Sequence, residues 1–595
     1  MSNNKNMMNA NKSNIQLNTY LSATILINLF CLFINGYSAD LGYWENWTHQ
    51  LADKGYYLFN GNYPPLYIHW LYIVSKGLNY FQLSIEPNDL CKFLWEFPVL
   101  ISHCLLTAIV LKNLQKFNAS VNQTRSIMLI TVFNPAILID GPMWGQVDLI
   151  PSVLAISAIL INFSNRYCIL MLPIFTLSLL TKFQMICFAP IIGILFFHHF
   201  KKHLIGVVIS IITILVVFSP FIVVDYHKEA FLNAYIKTLG QYPVITMNAA
   251  NLWILLIGNN APDNIQFLTQ VSHFLPQKLI YPKYFGMFLY ASIALCIFII
   301  GIDRLIKNKK TKNDDDFLSS IVFYTMVSAI AFFTLLPAMH ERYLFPAVVC
   351  AIIYSSVTKK YIAYIVGLTA VSSLNMLIIL NINGSNIWIG LSTLITCIFA
   401  ISLLQLFAGS AIYNIIPTLA NSFLRIPFSS LIVFTLSTSA TLAYLIDRHI
   451  VHKVELSANQ SLLTDHKRIF AQQDYGTIQY NKSVDKKTLS IGNRRFENGI
   501  GTHANSTIIF ELPKNAIRFD VVLGIDDEAN NADVVFEIWE DDKLLVRSEP
   551  FFGFEKPSNI QIDLHKGERL TLKVDSLGQK SWDHANWVNP IITVE

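Results

Sequence analysis

At 595 residues the chain is too long for one ordinary domain, and its 53% apolar and 14% charged residues stand far from the roughly 25% charged of soluble domains. This composition excludes a simple soluble enzyme and points to a polytopic membrane protein with something attached. A net charge of +4 over this length argues neither for nucleic acid nor for a polyanionic partner.

The first apolar stretch, "TYLSATILINLFCLFING", follows a polar start with Lys5 and Lys12 and resembles a signal sequence. A cleavage site before Asp40 would put Tyr37 where a small residue is needed, so an uncleaved anchor is expected. Apolar runs of membrane-crossing length then recur from residue 16 to 446, and about thirteen spans fit them. The segment 63–81, "YPPLYIHWLYIVSKGLNYF", carries His69, Lys76 and six aromatic residues and is read as an amphipathic helix on the outer leaflet. With that choice Lys112, Lys116, Arg125, Arg166, Lys201, Lys202, the "DRLIKNKKTK" loop, Lys359, Lys360 and Arg425 all fall on the N-terminal side, a consistent positive-inside pattern. All eight cysteines lie between Cys31 and Cys397, in or beside apolar segments, so no disulfide framework supports the tail.

The opposite, non-cytoplasmic face collects the polar residues in chain order. "SADLGYWENW" puts Asp40 directly after the first span. "DGPMWGQVD" adds Asp140, Trp144, Gln146 and Asp148, and "LTKFQM" adds Lys182 and Gln184. "MNAANLW" contributes Asn251 and Trp253, and "AMHERYLFP" contributes His340, Glu341 and Arg342. Moving a sugar from a phosphate leaving group to a hydroxyl needs a carboxylate to take the proton and cations to hold the departing phosphate; this face supplies both. Asp140 and Asp148 read equally well as turn residues. A charged turn in which Glu341 pairs with Arg342 is the plain alternative for the last motif.

Together and in this order, these motifs resemble the GT-C superfamily of membrane glycosyltransferases over roughly residues 15 to 350. The nearest patterns are the bacterial relatives of the GPI mannosyltransferase II family and the dolichol-phosphate-glucose glucosyltransferases. "YPPLY", "NPAILIDGPMWGQVD" and the His-Glu pair carry most of the likeness. The resemblance implies Asp40 as catalytic base, His340, Arg342 and Lys182 at the donor phosphate, and Trp144, Gln146, Asp148, Asp140, Gln184, Asn251, Trp253 and Glu341 as substrate-binding. Both relatives differ around "GPMWGQVD", which leaves the separate roles of Trp144, Gln146 and Asp148 open. No second acid stands beside Asp40 in a D-x-D arrangement, so neither a metal nor another cofactor is expected in this half.

Beyond a linker at 448–471 the pattern changes to short alternating runs such as "TIIFEL", "IRFDVVLGI" and "ERLTLKVD", which read as a β-sandwich over 472–595. "NGIGTHANS", "VVLGIDDEAN", "VVFEIWEDDKLL" and "DHANWVNPII" resemble the NPCBM family of carbohydrate-binding modules, which implies a jelly roll and glycan binding. His503, Asp526, Asp527, Asp583, His584 and Trp587 are the candidate glycan contacts, since sugar recognition pairs an aromatic face with planar hydrogen-bonding groups. The acids of "GIDDEANNAD" read also as turn caps or as ligands of a structural calcium ion.

The expectation is therefore a GT-C-like membrane domain at 1–447 followed by an all-β jelly-roll sandwich. It would sit as a multi-pass protein in a bacterial plasma membrane, with its site and its tail outside. Its partners would be a polyprenyl-phosphate-linked mannose or glucose, a glycan or glycoconjugate acceptor and the lipid bilayer. A carbohydrate transporter or flippase is the rival, because intramembrane charge also marks substrate paths. The charges cluster on one face, however, and no internal repeat is visible. A surface lectin with a membrane anchor would not need so many spans.

Overall fold

The computed structural model describes residues 2–34, 36–237, 244–258, 281–379, 385–408, 451–452, 454, 456–492, 494–529, 532–552, 557–578 and 583–595. The chain divides into two compact units, Met1–Ser439 and Ala440–Glu595.

The first unit is helical. Among the described residues eight helices are long and apolar enough to cross a membrane, and four shorter apolar ones lie between them. That is fewer than the thirteen spans read from the sequence: Leu149–Ile161, Cys168–Thr181, Phe183–His198 and Phe345–Thr358 are too short to cross alone, and the stretch 409–450 lies outside the described residues. Helix α1 covers Ser2–Leu32, α2 Ser38–Lys54, α3 Pro65–Tyr80 and α4 Asp89–Lys116. Helix α3, from the segment assigned to the outer leaflet, starts with proline at its first turn and buries Tyr67, Ile68, Leu71, Val74 and Leu78 along one face.

Buried polar side chains bond the helices to one another where hydrocarbon offers no competing partner. The Asn28 amide donates to Nδ1 of His103 at 2.8 Å, and His103 Nε2 donates to the Thr131 carbonyl at 3.1 Å, which sets the tautomer. Asn134 donates to the Thr369 hydroxyl at 2.9 Å.

Local breaks in the helices bring the polar motifs inward. After the short helix Pro135–Leu138 the backbone widens into a π-type turn at Ile139–Met143, with Pro142 inside it. Gly145 then takes φ +97°, where a Cβ would lie 2.6 Å from Leu41 Cδ2, so glycine is required there. The helix Met171–Thr181 stops at Lys182, whose backbone is extended. Thr246–Met247 and Met339–His340 form a two-stranded parallel ladder that ties the loop of Asn251 to the His-Glu-Arg turn.

The second unit is a sandwich of two antiparallel sheets. One runs Lys543–Arg547, Asp533–Glu540, Arg569–Ser576, Ser506–Glu511, Arg468–Gln473; the other runs Ser558–Asp563, Ala516–Ile525, His584–Val594, Gly499–His503, Gln479–Tyr480. Alternating residues such as Ile508, Phe510, Phe519, Val521, Phe536, Leu572 and Trp587 fill the space between them. Gln460–Leu462 pairs with the last strand and Arg468–Gln473 with Ser506–Glu511. The sandwich therefore draws in residues from the stretch 448–471 that the sequence suggests as linker.

Candidate active site

Asp40 sits in the first turn of α2, where the exposed N–H groups of a helix start favour a negative charge. Its Oδ2 accepts from Trp144 Nε1 at 2.6 Å and lies 3.7 Å from Arg342 Nη1. Trp144 is buried against Tyr37, ring centres 5.1 Å apart, and its carbonyl accepts from the Tyr37 N–H at 2.9 Å. The turn at 139–145 therefore serves to hold an indole N–H against the Asp40 carboxylate.

Behind this pair Asp148 is fully buried. Lys182 Nζ donates to its Oδ1, Gln184 Nε2 donates to the same oxygen at 3.3 Å, and Arg342 Nε stands 3.9 Å from Oδ2. Arg342 also donates from Nη1 to Glu341 Oε1 at 2.7 Å, and His340 Nδ1 is 3.8 Å from Glu341 Oε2. One guanidinium thus reaches three carboxylates from three segments. Burial alone would raise the Glu341 carboxyl, but Arg342 and His340 outweigh it and hold it down to about 2. Burial disfavours the Arg342 charge too, yet Asp40, Glu341 and Asp148 push its pKa well above the usual value.

Asp140 is also fully buried; its carboxyl packs against that of Asp148, and its oxygens take no hydrogen bond from an N–H donor among the described residues. Gln146 is buried beside it in sequence, and its Oε1 likewise has no donor. The cluster joins Asp40, Asp140, Trp144, Asp148, Lys182, Gln184, His340, Glu341 and Arg342, with four carboxyl groups around Lys182 and Arg342.

Asn251 and Trp253 stand apart in kind. Asn251 Oδ1 caps its own short helix by accepting from the Trp253 N–H at 3.1 Å, and its Nδ2 donates to the carbonyls of Phe333 and Leu336. Trp253 Nε1 donates to the Leu335 carbonyl at 2.9 Å, and both side chains are buried. Their polar groups are spent on backbone, so these two clamp the loop rather than face a substrate.

Two residues at this site lie outside the sequence reading. Tyr63, the first residue of "YPPLY", is packed edge-on against Trp44 at 5.3 Å. Its hydroxyl is buried near Asp148 and Arg342 with no hydrogen-bond partner among the described residues. Asn375 accepts from the Ala250 N–H at 2.6 Å and donates to the Asn248 carbonyl at 2.7 Å, gripping the loop that pairs with His340. The tyrosine motif was visible; the asparagine, inside an apolar run, carried no signal.

In the sandwich, His503 and His584 face each other at 5.5 Å between ring centres, and the exposed Tyr475 ring is 5.3 Å from His503. Asp583 Oδ1 accepts from the Asp533 N–H at 3.2 Å, and Asp527 is buried beside Asp526. Asp526 accepts from the Ser490 N–H and hydroxyl, the Glu528 N–H and Asn586 Nδ2. Burial, with Glu528 and Asp527 adding to it, pushes its carboxyl well above the usual range. A group so fully bonded braces a loop. Trp587, expected as a sugar platform, is a core residue: it is fully buried and stands edge-on to Phe536 at 5.0 Å, leaving no ring face for a ligand. Asp485, Glu528 and His584 bring ligand atoms within 4.8 Å of one another, a set able to hold a metal ion. Glu528 follows directly on the two aspartates, whereas Asp485 reaches the group only through the fold.

Residues 459–593 match the family described as NPCBM/NEW2 domain. The C-terminal unit carries an NPCBM/NEW2 domain. An α-1,3-galactosidase B from Akkermansia muciniphila is 29% identical over 126 residues, which span 20% of this chain and 16% of that protein. The CBM51 module of a Clostridium perfringens GH95 protein, solved with methyl-galactose, is 25% identical, with 22% of this chain covering 99% of that one at a TM-score of 0.22. ArnT from Cupriavidus metallidurans, solved with undecaprenyl phosphate, is 12% identical, with 72% of this chain covering 75% of that one at a TM-score of 0.40. The NPCBM domain accounts for the sandwich, and the helical unit stands on its own geometry.

Proposed function

We propose that this chain is a membrane glycosyltransferase that moves a hexose, mannose or glucose, from a polyprenyl-phosphate carrier to a glycan or glycoconjugate on the non-cytoplasmic face. The observation that carries this reading is the convergence at Asp40. A mostly buried carboxylate at a helix start accepts from a fixed indole N–H and stands 3.7 Å from Arg342, which also reaches Asp148, the partner of Lys182, and Glu341, the neighbour of His340. The acceptor hydroxyl gives its proton to Asp40 while its oxygen attacks the anomeric carbon. The bond from that carbon to the phosphate oxygen breaks, polyprenyl phosphate leaves with the electron pair, and the configuration inverts. Arg342 and Lys182, with His340 beside them, offset the charge that grows on the leaving oxygen, so no separate proton donor is needed. Asp148 and Glu341 aim the two cations.

The NPCBM domain supports a glycan acceptor, in that it would hold a polysaccharide at the surface where transfer occurs. Galactose-terminated glycans are the first ligands to try, because the relative that shares this domain is named for a galactoside. Calcium, or another divalent ion at Asp485, Glu528 and His584, is proposed as a structural ligand of the same domain.

Membranes holding the protein, given radiolabelled polyprenyl-phosphate mannose or glucose, provide the test. Label passing into a glycan is the expected result. Label that becomes protected without transfer would instead mean transport, and label merely retained would mean a lectin.

A further inference from the structure

We infer that Lys92 is a positioning residue that sets Trp144 against Asp40; this rests on the reading of Asp40 as the base. Lys92 lies in the first turn of α4 and is buried. Its Nζ donates to the Leu32 carbonyl at 3.4 Å, to the Ile34 carbonyl and to the Met143 carbonyl at 3.3 Å. Leu32 and Ile34 end the segment that leads into Asp40, and Met143 ends the turn that presents Trp144. A single ammonium therefore fastens the two stretches of backbone whose side chains form the 2.6 Å indole–carboxylate bond.

The surroundings are built to the same end. The Tyr37 N–H donates to the Trp144 carbonyl at 2.9 Å, and Trp44 Nε1 donates to the Gly145 carbonyl at 2.6 Å. Gly36 lets the two backbone segments of this joint approach, for a Cβ there would lie 2.9 Å from the Trp144 carbonyl. Glu96, one helical turn beyond Lys92 on the same face, is buried, and neither of its oxygens takes a hydrogen bond from a described residue. It is an acidic side chain close enough to feel the Lys92 charge, and its Oε1 lies 3.4 Å from the Cβ position of Gly145. Leaving one member of such a pair alone is strongly destabilising, whereas removing both charges is tolerated far better. A side chain that only balanced Glu96 would thus be dispensable once Glu96 is neutral.

That distinction gives the experiment. The full-length protein is compared with Lys92→Arg and with the double variant Lys92→Met/Glu96→Gln, which removes both charges together. In the transfer assay the double variant is expected to lose roughly 30- to 100-fold in kcat, with the donor KM moved less than about threefold, because a misplacement near 1 Å costs that much in a positioned reaction. Lys92→Arg, which keeps the donors, should stay within about fivefold of the native rate. Native kcat in the double variant, or kcat and KM lost together, would overturn the inference. A second arm does not depend on turnover: the 19F signal of fluorotryptophan at Trp144, identified by its loss in Trp144→Phe, should move in the double variant and stay in Lys92→Arg. An unmoved signal would overturn the inference even in a protein that transfers sugar. If the native protein transfers none, the functional reading fails and this arm alone decides.

Discussion

Trp144 shows how much one side chain is asked to do. Its indole N–H is committed to Asp40 and its carbonyl to Tyr37, so Trp144→Phe removes a hydrogen bond to a charged group while keeping the ring packing. Such a bond is worth about 1.5–3 kcal/mol, and a fall in kcat of about one to two powers of ten is expected from steady-state transfer kinetics. Glu341 gives a prediction in pH. Its folded carboxyl is held down to about 2 from an ordinary 4.5, so the stability it contributes is fully present above about pH 4.5 and is lost as pH falls through about 2. Thermal unfolding of the native protein and of Glu341→Gln should therefore run parallel between pH 7 and pH 5, and converge only in stronger acid. Asp40, Trp144, Asp148, Lys182 and the His-Glu-Arg turn could all be picked from the sequence, because charge beside a lipid-crossing run is unusual. Their partners could not: that Arg342 reaches Asp40, Asp148 and Glu341 together depends on segments some 100 to 300 residues apart, as the numbering shows.

At the scale of elements, the site is assembled by interruptions: the π-type turn at Ile139–Met143, the glycine at 145, the extended backbone at Lys182 and the two-residue ladder at Met339–His340. The ladder had no signature, since two-residue strands carry no periodicity, and Asn251 and Trp253 read as ligand contacts because their clamp on the Asp314–Leu335 helix end is a tertiary fact. Asn375 is the corresponding support from the helix Ile362–Ile379. Replacing it by leucine removes the partners of a buried N–H and a carbonyl at 250 and 248, at about 1–3 kcal/mol each. Hydrogen exchange over 246–251 should then rise at least tenfold, with little change in helices remote from the loop. Unchanged protection there would mean that the ladder to Met339–His340 holds the loop by itself.

For the molecule as a whole, the broad division was legible: long apolar runs make the first unit, alternating short ones make the second, and each periodicity follows from how a helix or a strand buries one face. The number of membrane crossings was less so, because apolar length does not distinguish a span from a short helix buried among others, as in Phe345–Thr358, which lies almost wholly in the interior. Within the sandwich the alternation identifies strands but not which side faces in, and Trp587, an aromatic that suits a sugar platform, lies between the sheets against Phe536. The proposed reaction turns on Asp40 taking the acceptor proton. Single-turnover transfer of labelled hexose from its polyprenyl-phosphate carrier, run on the native protein and on Asp40→Asn beside a measurement of carrier binding, tests it most directly. The expected result is a loss of about 10³-fold in rate with carrier affinity unchanged, in keeping with what a general base supplies; turnover by Asp40→Asn within tenfold of native would contradict it.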